Sequence, residues 1–108
     1  MTMTPEHPRI DAELQIDDVR GTDEDKATAV VRCVRGPVRL GARFDRIRDT
    51  AVPIDLELAE ILFYGRPVNE LDPSHTALVT LRGAGTPLLV SGNKAHGWKI
   101  IQGANPSS

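Results

Sequence analysis

The chain contains very little cysteine and few aromatic residues. Its 108 residues include one cysteine, one tryptophan, one tyrosine and two phenylalanines. A single cysteine excludes an intramolecular disulfide, and no Cys/His spacing typical of a zinc site is present. The apolar runs are only a few residues long, so the sequence predicts no transmembrane helix. The first residues lack the basic and apolar stretches of a secretory signal, which predicts a cytoplasmic protein.

Motifs of nucleotide-binding and catalytic proteins are also missing. No G-x-x-x-x-G-K-[ST] phosphate loop occurs, so we expect no GTP binding. Ser74 and His75 are neighbours in a predicted turn, but adjacency in the sequence does not place the histidine within hydrogen-bond distance of the serine hydroxyl. The acids Asp55, Glu57 and Glu60 are interpreted as the water-facing row of a strand. The sequence therefore predicts no enzymatic activity, no cofactor and no metal.

Length and composition predict one domain. A chain of this size buries about two-thirds of its unfolded surface, and a hydrophobic content of 40% is ordinary for a globular protein. Residues 1–10 and 103–108 are polar and proline-bearing, and are predicted to be flexible segments around a domain at 11–102. Within that domain, short β-rich runs with closely spaced turn signals predict about seven or eight strands in a sandwich or barrel.

Two strands are clear from their alternation. They cover residues 27–34 and 76–83, and their predicted inward residues are Ala29, Val31 and Cys33 in the first and Ala77, Val79 and Leu81 in the second. Cys33 is interpreted as a small buried hydrophobe. After a glycine loop, residues 86–92 are predicted to form the hairpin partner of the second strand. A last strand at 98–102 places Trp98 in the core.

The segment at 54–63 fits two structures. Ile54, Leu56 and Leu58 alternate with polar residues, and the apolar parity then slips by one at Glu60, which predicts a strand with a β-bulge near Ala59–Glu60. The same residues fit a helix from an Asp55 cap to a Gly65 stop, because leucine, alanine and glutamate are good helix formers. Propensity alone leaves these two alternatives open.

Five arginines lie within residues 32–47, three or four positions apart. A helix through Pro37 would cost about 3 kcal/mol and Gly41 about 1 more, so this spacing is not a helical stripe. The segment instead predicts a strand ending near Val34, a turn, a short strand at 38–40 and a new strand at 42–47. In that last strand Phe44 and Arg46 are expected on one face, with Arg43, Asp45 and Ile47 on the other.

Charge is unevenly distributed along the chain. Residues 31–48 carry six arginines and one acid, whereas residues 1–30 carry eight acids and three bases. This asymmetry indicates an exposed basic patch that contacts an acidic protein partner. The alternative is neutralisation within the fold, in which the arginines pair with Asp17, Asp18 or Asp23–Asp25. A further alternative is RNA binding, although the chain has few aromatic residues for stacking.

Three motifs resemble one domain family. Gly36, Val38, Gly41 and Phe44 follow a G-x-V-x-x-G-x-x-F pattern, residues 69–83 end in Leu81-Arg82-Gly83, and LLVSGNK provides a strand and turn after it. In this order they resemble the β-barrel second domain of translational GTPases such as elongation factor Tu, over about residues 12–102. The resemblance implies an all-β barrel without a GTPase domain, and it favours a strand at 54–63.

The resemblance also implies a binding role. In elongation factor Tu this domain holds the aminoacyl end of tRNA with a Glu and an Arg, and these positions align with Glu70 and Asp72 here. The acid at the second position would repel phosphate. We therefore expect a stand-alone, non-catalytic module for protein–protein interaction, with RNA as the alternative ligand. The candidate partner-binding residues are Arg35, Arg39, Arg43, Arg46, Glu70 and His75.

Overall fold

A computed structural model describes residues 10–50, 53–90 and 99–106. Over these residues the chain forms nine strands and one short helix. The elements are β1 (Ala12–Thr22), β2 (Lys26–Arg35), β3 (Val38–Arg39), β4 (Arg43–Ile47), β5 (Pro53–Phe63), β6 (Arg66–Pro67), β7 (Glu70–Leu71), β8 (Thr76–Ala84), α1 (Thr86–Val90) and β9 (Lys99–Ala104).

Six of the strands close into an antiparallel barrel. Their order around the ring is β4, β9, β1, β2, β8 and β5, and the ring closes because β5 also pairs with β4. The short strand β6 extends β5 as an edge, while β3 and β7 form a separate two-stranded sheet. The predicted all-β barrel is therefore confirmed.

The interior of the barrel is filled by the inward side chains of the six ring strands. Alternation in β2 and β8 places the six predicted residues inward, and Cys33 is buried as expected. The largest fully buried side chains are Phe44, Leu14, Leu56, Leu58, Ile61, Leu81 and Ile101. Deleting a buried side chain of this size typically costs about 2–5 kcal/mol, so this cluster carries much of the stability.

The ambiguous segment at 54–63 is a strand. β5 runs from Pro53 to Phe63, and its pairing with β8 shifts register between Leu58 and Glu60. Leu58 and Ile61 are both buried, although they are three residues apart. An extra residue at this point accounts for the slip in apolar parity, so the predicted bulge is confirmed and the helix is excluded.

The predicted hairpin partner at residues 86–92 is wrong over its described part. β8 already pairs with β2 on one side and with β5 on the other, so it offers no free edge to another strand. Residues 86–90 instead form the helical turn α1. Its first residue, Thr86, is fully buried and donates its hydroxyl to the carbonyl oxygen of Asp23 at 2.9 Å, which ties α1 to the β1–β2 turn.

The predicted faces of two strands also need correction. In β4 the pairing shifts between Phe44 and Arg46, so Phe44 and Ile47 are both buried and Ile47 does not share the face of Arg43. In β1 the alternation of Leu14 and Ile16 predicts that Asp18 shares their face, but a register shift follows Ile16 and leaves Asp18 exposed. Bulges cause both differences, because each one moves the following residues to the opposite face.

The last strand runs past the expected end of the domain at residue 102. β9 continues to Ala104, and Gly103 pairs with Ala12 of β1. Trp98, which the sequence places in the core, lies outside the described residues. So do residues 1–9, 107 and 108, which belong to the two segments predicted to be flexible.

Candidate functional site

Four of the six predicted partner-binding residues lie at one end of the barrel. β2 ends with Arg35 at this end, and antiparallel pairing of Arg32 with Thr76 places the start of β8, and therefore His75, beside it. The small β3–β7 sheet lies at the same end, where it brings Arg39 directly opposite Glu70. We call this region the β3–β7 end.

The other two predicted residues lie on a different strand of the ring. Arg43 and Arg46 belong to β4, and two ring strands, β1 and β9, separate β4 from β2. With neighbouring strands about 4.8 Å apart, Arg46 of β4 and Arg35 of β2 are separated by three strand spacings. Arg39 and Arg43 remain close, since the Arg39 N–H donates to Asn105 and Arg43 pairs with the preceding residue, Ala104.

Three of the predicted arginines are engaged by acids of the fold. Arg35 pairs with Glu13 at 3.2 Å, Arg43 with Asp55 at 2.8 Å and more distantly with Glu57, and Arg46 with Asp45 at 3.0 Å. The hydrogen bond to Asp45 also raises the pKa of Arg46. These partners differ from the acids Asp17, Asp18 and Asp23–Asp25 that the sequence suggested. The exposed Arg43–Asp55 pair contributes about 0–1 kcal/mol.

Arg39 is held mainly through its backbone. Its N–H donates to Oδ1 of Asn105 at 2.7 Å, and Nδ2 of Asn105 donates to the carbonyl oxygen of Pro37 at 2.8 Å. The exposed guanidinium group of Arg39 has no ion pair among the described residues, although Glu70 is its neighbour across the sheet. Asn105 thus fixes the position of β3 and leaves the Arg39 side chain available.

His75 takes part in an aromatic cluster at this end. Its ring stacks on Phe63, with the centroids 5.3 Å apart and the planes 13° from parallel. The ring of Tyr64 meets Phe63 edge-on at 4.6 Å. His75 is therefore placed by packing against Phe63 at the end of β5, which the sequence did not indicate.

Tyr64 is the most exposed large hydrophobic residue of the described chain, at 89%. It forms the β5–β6 turn with Gly65, and both residues have positive φ angles, 54° and 77°. Such two-residue hairpin turns strongly favour Asn-Gly or Asp-Gly, because a positive φ is costly for a bulky side chain. The sequence analysis missed Tyr64, but a tyrosine before glycine between two apolar runs was a usable signal.

An apolar row crosses the outer surface beside this turn. It consists of Val30 of β2, Leu78 of β8, Leu62 of β5 and Pro67 of β6, each directly opposite the next in the strand register. The first three are partly exposed and Pro67 is exposed. On an outward face of a barrel such positions are more often polar. We refer to these four residues as the apolar row.

Two arginines lie beside the apolar row. Arg32 follows Val30 by two residues on the same face of β2, whereas Arg66 precedes Pro67 in β6 and, opposite Phe63, lies on the other face of the hairpin edge. Both are exposed, and neither has an ion pair among the described residues. The other border is polar: Thr28, Thr80 and Glu60 are cross-strand neighbours, and the Thr80 hydroxyl donates to Glu60 at 3.5 Å.

Cys33 lies beneath the β3–β7 end. It is buried, and this burial raises the pKa of its thiol. At neutral pH the thiol form therefore dominates, which makes it a poor nucleophile. Within the described ranges, no group of three His, Cys, Asp or Glu side chains is placed to bind a metal ion. None of the helical structure in the same ranges is long and apolar enough to cross a bilayer.

Comparisons with known proteins add no relative. No protein-family model matches the chain, and neither a curated protein nor a solved structure matches it. The resemblance to the second domain of translational GTPases therefore stays a prediction. Any inference about function rests on the surface described above.

Proposed function

We propose that this protein is a non-catalytic binding module that contacts an acidic protein partner through the apolar row, Arg32 beside it and Arg66 at the hairpin edge. The observation that carries the proposal is the row itself, because Val30, Leu78, Leu62 and Pro67 are aligned across four strands on an outward face. Apolar residues aligned in this way form a contiguous surface whose exposure to water is unfavourable, which is typical of an interaction site.

Charge complementarity supports an acidic partner. Arg32 borders the row and Arg66 lies at the hairpin edge next to Pro67, both without an ion pair in the described chain, whereas Arg35, Arg43 and Arg46 already have acidic neighbours. Arginine is enriched at protein interfaces, and exposed charges at a rim steer association. The proposal thus retains the basic character predicted from the sequence and assigns it to Arg32 and Arg66, with Arg39 and His75 nearby.

RNA is the alternative ligand. A barrel that binds single strands combines a basic groove with exposed aromatic platforms, and Tyr64, Phe63 and His75 form an aromatic cluster close to Arg66. The apolar row favours a protein, because phosphate and ribose gain nothing from Leu62 and Leu78. A protein ligand and an RNA ligand predict different binding results, and one experiment distinguishes between them.

The test compares two defined probes. A short fluorescein-labelled peptide of glutamate and leucine residues and a labelled polyuridine RNA of the same length are titrated by fluorescence anisotropy. We expect the peptide to bind, and we expect the double variant R32A/R66A to weaken binding by about tenfold and to flatten its salt dependence. Arg82→Ala is the matched control, since Arg82 is also exposed and without an ion pair in the described chain but lies farther along β8.

Three results would contradict the proposal. Failure of the peptide to bind the wild-type protein would remove its basis. Equal losses in R32A/R66A and in R82A would indicate non-specific attraction. Tight RNA binding with a log–log salt slope that falls by about one unit for each arginine removed would favour the RNA alternative.

A further inference from the structure

We infer that Tyr64 is the anchor residue of this interaction surface, displayed at the tip of the β5–β6 hairpin for insertion into the partner. The inference rests on the proposed function, since it adds the main contact to the same surface. Tyrosine is among the residues that most often dominate binding energy at protein interfaces.

The position of Tyr64 is unfavourable for folding on two counts. Its side chain is 89% exposed, so the ring gains little from burial. Its φ angle of 54° places a bulky residue in the left-handed region, where asparagine or glycine is preferred. A tyrosine that is both exposed and held at a positive φ angle does not serve stability, which indicates a function for its ring.

The surroundings of Tyr64 suit an anchor. The turn fixes its backbone. The edge-on contact with Phe63, with the ring centroids 4.6 Å apart, restricts the tyrosine ring. Phe63 is itself supported by the stacked ring of His75. Tyr64 therefore projects from a supported base, so little conformational entropy is lost when a partner binds it.

The neighbours of Tyr64 define the chemistry of the partner. Leu62 of the apolar row and Arg66 lie two residues to either side of Tyr64 in the same hairpin. Leu62 pairs with Pro67 and Arg66 with Phe63, so a ligand that wraps around the tip of the hairpin meets the apolar side chain on one face and the arginine on the other. This combination fits an acidic polypeptide segment with apolar side chains between its carboxylates.

Tyr64→Asn is the decisive variant. It produces an Asn-Gly turn suited to both positive φ angles, so we expect a melting temperature a few degrees above that of the wild type. The same variant should weaken binding of the glutamate–leucine peptide by about tenfold. Tyr64→Phe keeps the ring and should preserve most of the affinity, which separates loss of the anchor from disturbance of the hairpin.

A direct readout comes from the fact that the chain has a single tyrosine. Incorporated 3-fluorotyrosine gives one ¹⁹F resonance, which should shift on addition of the peptide and stay unchanged with the RNA probe.

Each outcome has a defined meaning. Unchanged peptide binding by Tyr64→Asn, with binding by the wild type intact, would overturn the anchor role and leave the proposed function standing. A lower melting temperature for Tyr64→Asn would show that Tyr64 stabilises the hairpin, which would also overturn the inference. Absence of peptide binding by the wild type would instead overturn the proposed function and the anchor with it.

Discussion

The carboxylate of Glu13 forms an ion pair with Nε of Arg35 at 3.2 Å, and the side chain of Glu13 is only 10% exposed while that of Arg35 is 61% exposed. The Glu13 carboxylate is thus nearly withdrawn from water, and the Arg35 guanidinium provides its neutralising charge. Removing Arg35 leaves a poorly solvated carboxylate without its cation.

We expect Arg35→Ala to lower the free energy of unfolding by about 1–2 kcal/mol, a value reduced from that of a fully buried pair because Arg35 is largely solvated. Urea denaturation measures this loss. Arg39→Ala is the control, with an expected change within about 0.5 kcal/mol, because its side chain has no ion pair in the described chain. Equal losses for the two variants would show that the Glu13 pair is not specifically stabilising.

Gly103 marks a close approach of two strands. It lies opposite Phe44, and a Cβ added at Gly103 would overlap the backbone carbonyl of Arg43. We expect Gly103→Ala to cost more than about 4 kcal/mol or to prevent folding, since backbone atoms of the closed ring cannot move aside. Circular dichroism during thermal unfolding measures the effect. Gly21→Ala is the matched control with little expected loss, because nothing lies within 4 Å of a Cβ there.

The bulge in β5 predicts an unusual tolerance to deletion. Leu58 pairs with Leu81 and Glu60 with Thr80, so Ala59 is the extra residue between two regular stretches of the ladder. Deleting Ala59 restores strict alternation while keeping Leu58 and Ile61 inward, so we expect a folded barrel with at most about 2 kcal/mol lost. Deleting Glu57 reverses the facing of the residues on one side of it and should abolish folding. Expression and NMR dispersion of both variants provide the measurement.

Cys33 predicts a loss of stability at alkaline pH. Burial raises the pKa of its thiol in the folded protein, whereas the unfolded thiol ionises near its ordinary pKa of about 8.5. Below that value both states carry a neutral thiol and stability is unaffected. As the pH rises through this value, the thiol ionises first in the unfolded state, which stabilises that state. The free energy of unfolding therefore falls until the pH passes the raised pKa of the folded state.

Denaturant titrations at several pH values measure this effect. Cys33→Ala is the control, since it removes the thiol and should show a smaller decline between neutral and alkaline pH, whatever its starting stability. An identical decline in both proteins would show that other groups determine the alkaline behaviour.

The sequence was sufficient where alternation alone decides the structure. The inward residues of β2 and β8, and the bulge in β5, follow from apolar parity, which depends only on neighbouring residues. The short strand β4 offered too few positions for the same reasoning. Phe44 and Ile47, three residues apart and both buried, show a bulge that five residues do not make evident beforehand.

The remaining features depend on contacts between distant parts of the chain. Residues 86–90 form α1 because β2 and β5 already occupy both edges of β8. The acids that neutralise Arg35 and Arg43 are chosen by strand order, which spacing along the sequence does not encode. The stacking of His75, just before β8, on Phe63 of β5 likewise joins distant parts of the chain, so the sequence did not indicate the aromatic neighbours of this histidine.

The place of β9 in the ring governs how this barrel is expected to fold. The strand lies between β1 and β4, and it pairs Gly103 with Ala12 at the opposite end of the described chain. During synthesis on the ribosome, the earlier strands therefore emerge with one gap in the ring. The edges of β1 and β4 stay unpaired until β9 has been made. Closure of such a large loop predicts slow folding in the millisecond to second range typical of non-local β topologies, with a period in which those edges are open to chaperones or to other nascent chains.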